Sequence, residues 1–306
     1  MSSAHHPPSQ VGAPSRALPP APTLEGRWFE TFTCEAPGVG RVEALVAAAP
    51  EYRTAAGDAP ALVCLPGLAM HGSNFLRQLP LGAVAELHFP IFPGYAVPGE
   101  EGLGHFARYV EAYIQARELE RRPGGVVLLG TSMGGAVAQV VAARGRVKLR
   151  GLVLICTFGS ARHVHAIHRL LAVFRWFIPG FALKACGRPL LMTHRGLGDF
   201  ARDEAHYMAD CIHIPSQGYL GRAAYALTHL QILDDARRLA VPTLVMHGTD
   251  DHVLPYAAGK ELAETIPGAK LVTLEGASHA LFFLNHEAVN AAVAEFLREL
   301  PAKDSP

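Results

Sequence analysis

Val126-Val127-Leu128-Leu129-Gly130-Thr131-Ser132-Met133-Gly134-Gly135-Ala136 is the stretch on which the fold of this 306-residue chain turns. Its opening apolar run is too short for a helix and carries β-branched residues, so it predicts a strand buried on both faces. Residues 133–143 then predict a helix that opens on small side chains. A serine at the corner between such a strand and helix sits on a sharp turn with its Oγ raised above the sheet. Gly130 and Gly134 relieve the crowding that this turn creates, and Gly135 and Ala136 let the new helix pack close to neighbouring strands. The five-residue pattern alone also arises by chance as a small-residue turn. Its position between strand and helix favours Ser132 as a nucleophile.

A serine hydroxyl attacks poorly unless a base takes its proton, so the reading requires a histidine and a group that orients it. The chain has 16 histidines, so position must decide among them. A second strand-like run, Pro242-Thr243-Leu244-Val245-Met246-His247, ends at Gly248-Thr249-Asp250-Asp251-His252-Val253-Leu254-Pro255. A third, Lys270-Leu271-Val272-Thr273-Leu274-Glu275, ends at Gly276-Ala277-Ser278-His279. Acid and base thus fall in loops after strands, the edge where open parallel sheets carry their sites. His252, His279 and His286 follow the acidic loop. His252 adjoins the acid too closely to bridge it to the serine, and His286 falls at the start of the final helix, which leaves His279 as the base. Either Asp250 or Asp251 fits the acid by position, and either also fits a solvated turn or a helix cap before Pro255.

With these residues in order, the chain resembles the α/β-hydrolase-fold serine hydrolases, esterase-like members with a cap insert. Ser132, then an aspartate, then His279 is that family's chain order. The likeness runs from about Leu62 to Leu300, interrupted by a middle insert. It implies a mostly parallel central sheet flanked by helices. In relatives the acid commonly stands three residues after the strand-end glycine and four before a proline, which selects Asp251. The resemblance also implies two backbone donors for an oxyanion. One is the N–H of Met133; the other comes from the loop Pro66-Gly67-Leu68-Ala69-Met70-His71-Gly72-Ser73 behind the strand-like Ala61-Leu62-Val63-Cys64-Leu65. Many relatives carry His-Gly where this chain has Pro66-Gly67. The glycine that frees the backbone is kept, so Leu68 N–H is the second donor. Met70 and His71 read equally well as site wall or as ordinary loop residues.

Composition agrees with an enzyme core of this size. Half of the residues are hydrophobic, ample for a large core, and Lys+Arg balance Asp+Glu at 27 each. Without a basic run or an aromatic-interleaved patch, no nucleic-acid partner is expected. The five cysteines (Cys34, Cys64, Cys156, Cys186, Cys211) are scattered and never in a CxxC pair. Cys64 and Cys156 read as buried hydrophobes, and a reducing, cytoplasmic setting is expected. Residues 1–24 are Pro-, Ser- and Ala-rich without an apolar h-region, and read as a disordered tail. The core is expected at 25–156 and 236–306. Within it, residues 28–35 and 42–49 form a leading hairpin, residues 83–89 a strand and residues 149–156 another. Leu103, Phe106, Val110, Tyr113 and Arg117 mark one helix face, and Val289, Val293, Phe296, Leu297 and Leu300 stripe the last helix.

One turn departs from the family. Relatives usually carry Asp-x-Pro-Gly-x-Gly where this chain has Ile91-Phe92-Pro93-Gly94-Tyr95-Ala96. Pro93-Gly94 keeps the turn, and the apolar residues Phe89, Ile91, Phe92 and Tyr95 read as core packing before pocket rim. Residues 157–235 break the alternation, and the resemblance implies a helical cap there. Its dense apolar cluster, with Trp176 and Phe177 as substrate-contact candidates, is interrupted by Arg169, Arg175 and Pro179, so it predicts no transmembrane segment. A lid over an apolar acyl pocket fits best, with a homodimer surface or a membrane-touching patch as alternatives. His163, His165 and His168 lack further ligands at supporting spacing, so no metal and no cofactor are expected.

The expected reaction follows from the nucleophile. A serine forms an acyl-enzyme that water then cleaves, so a small hydrophobic ester or related acyl compound is the expected substrate. Thioester hydrolysis, acyl transfer and carbon–carbon bond hydrolysis suit the same residues. A non-catalytic ligand-binding relative is the rival from another class, and it usually lacks one of the three residues.

Overall fold

The computed structural model describes residues 28–53, 57–164 and 198–301. Its core is an eight-stranded sheet: β1 (Phe29–Ala36), β2 (Gly40–Ala47), β3 (Ala61–Leu65), β4 (Glu86–Pro90), β5 (Val126–Thr131), β6 (Leu149–Ile155), β7 (Thr243–Gly248) and β8 (Lys270–Leu274). The strands lie in the order β1-β2-β4-β3-β5-β6-β7-β8. β1 and β2 form an antiparallel hairpin, and β2 runs antiparallel to β4. Every later pairing is parallel. A crossover between parallel strands needs a dozen or more residues, and the helices fill those connections. Among the described residues the longer ones are α1 (Gly104–Ala116), α2 (Met133–Arg144), α3 (Arg202–Asp210), α4 (Gln217–His229) and α5 (Tyr256–Thr265), and α6 (His286–Glu299) follows the last strand.

Alternation along the central strands separates two cores. Val63, Leu65, Val126 and Leu128 face the layer of α1 and α2, where Phe106, Val110, Val137 and Val141 are buried. Leu62, Cys64, Val127 and Leu129 face the opposite layer with Val289, Val293, Phe296 and Leu297 of α6. Burial on both faces accounts for the unbroken apolar runs of β3 and β5. Cys64 and Cys156 are buried free thiols, as expected of hydrophobes in those runs. No helix among the described residues is long and apolar enough to cross a membrane.

One element starts later than expected. The strand predicted over 83–89 begins only at Glu86, because residues 72–83 wind into short helical turns around Pro80. Proline removes a ladder donor and favours such turns over strand. The apolar residues around the β4 exit divide as packing requires. Phe89 and Phe92 are fully buried, whereas Tyr95 is partly exposed and donates its hydroxyl to the Arg41 carbonyl.

A close backbone approach in the core fixes where α2 can lie. A Cβ on Gly134 would stand 2.1 Å from the Leu65 carbonyl oxygen and 2.7 Å from that of Pro66. Both are backbone atoms and cannot swing aside. Gly134→Ala is therefore expected to push α2 off β3 and to destabilise the fold by roughly 1–3 kcal/mol, the usual range for overpacking. Urea unfolding would measure it; an unchanged midpoint would mean that the helix start moves freely.

Candidate active site

Ser132 stands between β5 and α2 with φ 51° and ψ −119°. A non-glycine residue in this region is strained by about 1–3 kcal/mol and persists only when its surroundings hold it. They do so here through the main chain. Ser132 N–H donates to Ile155 O at 3.0 Å, and Ser132 O accepts from Gly135 N–H at 3.0 Å. The Thr157 hydroxyl adds a 2.7 Å hydrogen bond to the same carbonyl. The first residue of the predicted insert thus bonds directly to the elbow. Met133 is the first residue of α2 and fully buried, so its N–H belongs to the initial helical turn and has no acceptor within the helix.

Gly67 brings the loop after β3 against this corner. A Cβ there would lie 3.4 Å from Ser132 Cβ. Leu68 follows at the surface, and Ala69 adopts a left-handed φ of 58°. His71 caps the following turn, its Nδ1 accepting from Ser73 N–H at 3.3 Å, and its ring lies 5.5 Å from that of His213. Burial, followed by the charge of His213, lowers the His71 pKa to about 4, so its imidazole is neutral at ordinary pH.

The candidate acid and base come from the loops after β7 and β8. These loops are stitched together by Thr249 N–H to Leu274 O at 3.1 Å and Asp250 N–H to Ala277 O at 3.0 Å. Asp251 is fully buried at its side chain, and its Oδ2 accepts from His279 Nδ1 at 2.8 Å. Its Oδ1 accepts from the backbone N–H groups of Val253 and Leu254, both at 2.9 Å. Burial alone would raise its pKa. The neighbouring His279, hydrogen bonds from His247 and His279, and the Leu254 N–H outweigh burial and hold the carboxyl well below the usual range. A buried ionised carboxylate on Nδ1–H fixes the imidazole tautomer and leaves Nε2 as a lone pair able to accept a proton.

The neighbouring acid lies in a different environment. Asp250 is 59 % exposed at its side chain and pairs with the equally open His252 at 2.9 Å. His286 opens α6, its Nδ1 3.2 Å from Phe283 O. His163 pairs with Glu261 at 2.7 Å. Trp176, Phe177, His165 and His168 lie outside the described residues. Cys156, Asp251 and His279 bring possible metal-ligand atoms within 4.8 Å of one another. Asp251 Oδ2 is already committed to His279, and burial, with the nearby Asp251, raises the Cys156 pKa well above its ordinary value. The thiol stays protonated, a donor set suited to a hydrogen-bonded pair.

A second histidine on the acid escaped the sequence reading. His247, wholly buried at the end of β7, places Nε2 3.2 Å from Asp251 Oδ2 and 3.0 Å from Leu254 O. The signal was a lone polar ring closing an otherwise apolar strand, four residues before the acid.

Comparison with known proteins follows the same outline. The family model described as "Alpha/beta hydrolase family" matches residues 62–292. Part of a polyketide synthase, ThaQ of Burkholderia thailandensis, is 31% identical over 317 residues; the match takes in 95% of this chain but only 14% of that protein's length. The pimeloyl-[acyl-carrier protein] methyl ester esterase of Aeromonas hydrophila is 26% identical over 250 residues, 79% of this chain and 96% of its own. Among solved structures, a hydrolase from Pseudomonas aeruginosa superposes with a TM-score of 0.69 at 21% identity, covering 89% of this chain and 99% of that one.

Proposed function

The chain belongs to the α/β hydrolase family, and from that premise we propose that it cleaves a carboxylic ester through Ser132, His279 and Asp251. The observation that carries the reading is the Asp251–His279 hydrogen bond of 2.8 Å, made by a fully buried carboxylate. His279 Nε2 takes the Ser132 proton as Oγ attacks the acyl carbon. The resulting oxyanion is held by the N–H groups of Met133 and Leu68. Collapse expels the alcohol, which leaves with the proton from His279. Water activated by the same imidazole then hydrolyses the acyl-enzyme and restores the serine.

An ester is preferred because the Aeromonas relative is by name a methyl ester esterase. The same name gives a second reading, an acyl group presented on a carrier protein. The insert, from residue 157 to 235, is proposed as the cap that selects a hydrophobic acyl or alcohol group, with Trp176 and Phe177 as contacts.

A series of p-nitrophenyl esters tests the reading. Each buried methylene adds about 0.8 kcal/mol, so kcat/KM is expected to rise roughly fourfold per carbon and then fall at a definite chain length. A pre-steady-state burst of p-nitrophenol should accompany acyl-enzyme formation. Absence of any burst and of fluorophosphonate labelling would overturn the hydrolase reading. A flat chain-length series would overturn the cap assignment alone, and preference for a carrier-bound methyl ester would favour the second reading.

A further inference from the structure

The loop that carries Leu68 is held by the insert, and the hold centres on one residue. Ala69 keeps a left-handed backbone (φ 58°) without the freedom of glycine or the local hydrogen bonds of asparagine, so its neighbours must maintain it. Both of its peptide groups are tied to α4 or the segment leading into it. Its N–H donates to Tyr219 Oη at 3.0 Å, and its carbonyl accepts from His213 N–H at 2.8 Å. Two residues on, His71 N–H donates to Cys211 O at 2.8 Å, which completes a short antiparallel bridge between Met70 and Ile212.

Tyr219 is itself firmly placed. It is fully buried, and its ring meets Phe106 edge to face at 5.6 Å. Its N–H donates to Ser216 Oγ at 3.1 Å, and that hydroxyl donates to Gly94 O at 2.5 Å. The peptide between Leu68 and Ala69 therefore has its N–H fixed by Tyr219, while on the other side of Leu68 a Cβ on Gly67 would already touch Ser132 Cβ at 3.4 Å. These anchors bracket Leu68, and the peptide that carries its N–H is tied through Gly67 O, which accepts from Met70 N–H at 3.2 Å.

We propose that Tyr219 is a positioning residue that aims the Leu68 N–H at the developing oxyanion, so that the insert shapes the rate of the chemical step as well as substrate choice. This rests on the proposed action of Ser132, His279 and Asp251. Tyr219→Phe removes one oxygen and leaves the Ala69 N–H without its acceptor. Losing an oxyanion donor outright costs about 10²–10³-fold in kcat, and a misaimed donor should cost part of that, roughly 10–100-fold. KM for a short ester should change less than about twofold, since the ground-state carbonyl gains little from that donor.

The test compares wild type and Tyr219→Phe with p-nitrophenyl acetate and with an aryl trifluoromethyl ketone, whose hydrate-like adduct on a serine mimics the oxyanion. Rates are normalised to the p-nitrophenol burst, so that only competent sites are counted. The expected result is a fall in kcat matched by an equal fall in affinity for the ketone, with KM preserved. An unchanged kcat, a loss confined to KM, or ketone affinity that stays at wild-type strength would overturn the proposal. If Tyr219→Phe fails to fold, Ser216→Ala, which frees the start of α4, should show the same proportional loss at several-fold size; no loss there would also overturn it. A wild-type chain without a burst would instead overturn the underlying hydrolase reading.

Discussion

Ser132→Ala is expected to lower kcat by about 10⁴-fold or more on every p-nitrophenyl ester the wild type cleaves, and to abolish fluorophosphonate labelling. Stability should hardly change. Alanine has the same Cβ, so the strain at φ 51° and ψ −119° is unaltered, and the bonds that hold the corner use Ser132 N–H and C=O. Only the hydroxyl is lost, and a change of about 0.5 kcal/mol or less is expected on unfolding. Retained labelling, at any other residue, would remove Ser132 from the role of nucleophile. A large loss of stability would mean that the hydroxyl supports the fold, and the activity loss could then no longer be read as chemistry.

This corner was legible because its determinants are local. Strand, turn and helix occupy adjacent residues, and the glycine that lets α2 approach β3 lies in the same short stretch as the serine it serves. The acid and base loops were legible for a similar reason, each following an apolar run that ends at glycine. By position alone the choice between Asp250 and Asp251 stayed open, since both have the same chemistry, and only the family resemblance pointed to Asp251. The structure gives the two different surroundings: Asp251 is enclosed by His279, His247 and two backbone N–H groups, and Asp250 lies largely in solvent beside His252.

Contacts formed across long sequence separations left no comparable trace. Nothing in Ala69 or Tyr219, 150 residues apart, announces that one will accept the other's N–H. The same holds for the Tyr207 hydroxyl, which donates to Ser73 O at 2.6 Å and docks α3 beside the loop after β3. A period-based reading finds which face of a helix is apolar, and α3 shows how little that says about its partners. Besides Tyr207 and Met208 in the apolar core, polar pairs hold it, among them Arg77 with Glu204, whose side chains carry no periodic signal. The β4 start was misjudged on different grounds, because Pro80 and the turns around it compete with strand before the apolar run begins.

Asp251→Asn is expected to cost on the order of 10⁴-fold in kcat, and Asp250→Asn less than about threefold. At position 251 the amide presents an NH₂ and one carbonyl oxygen to a site that now offers donors from four directions: His279 Nδ1, His247 Nε2, Val253 N–H and Leu254 N–H. If the carbonyl oxygen stays with the two backbone donors, the NH₂ faces His279, whose ring must then accept at Nδ1. That tautomer carries its proton on Nε2 and is unable to take one from Ser132. At position 250 the carboxylate is mostly exposed and pairs with an exposed imidazole, an arrangement worth about 0–1 kcal/mol. Acid unfolding should report on Asp251 as well. A carboxylate whose pKa is held down by the fold adds stability above its unfolded pKa, near 4, and loses that contribution as pH falls toward the folded value. Asp251→Asn should therefore flatten the stability profile below about pH 4. Equal losses of kcat, or the reverse ranking, would move the orienting role away from Asp251 and leave the buried carboxylate as a structural link between the loops after β7 and β8.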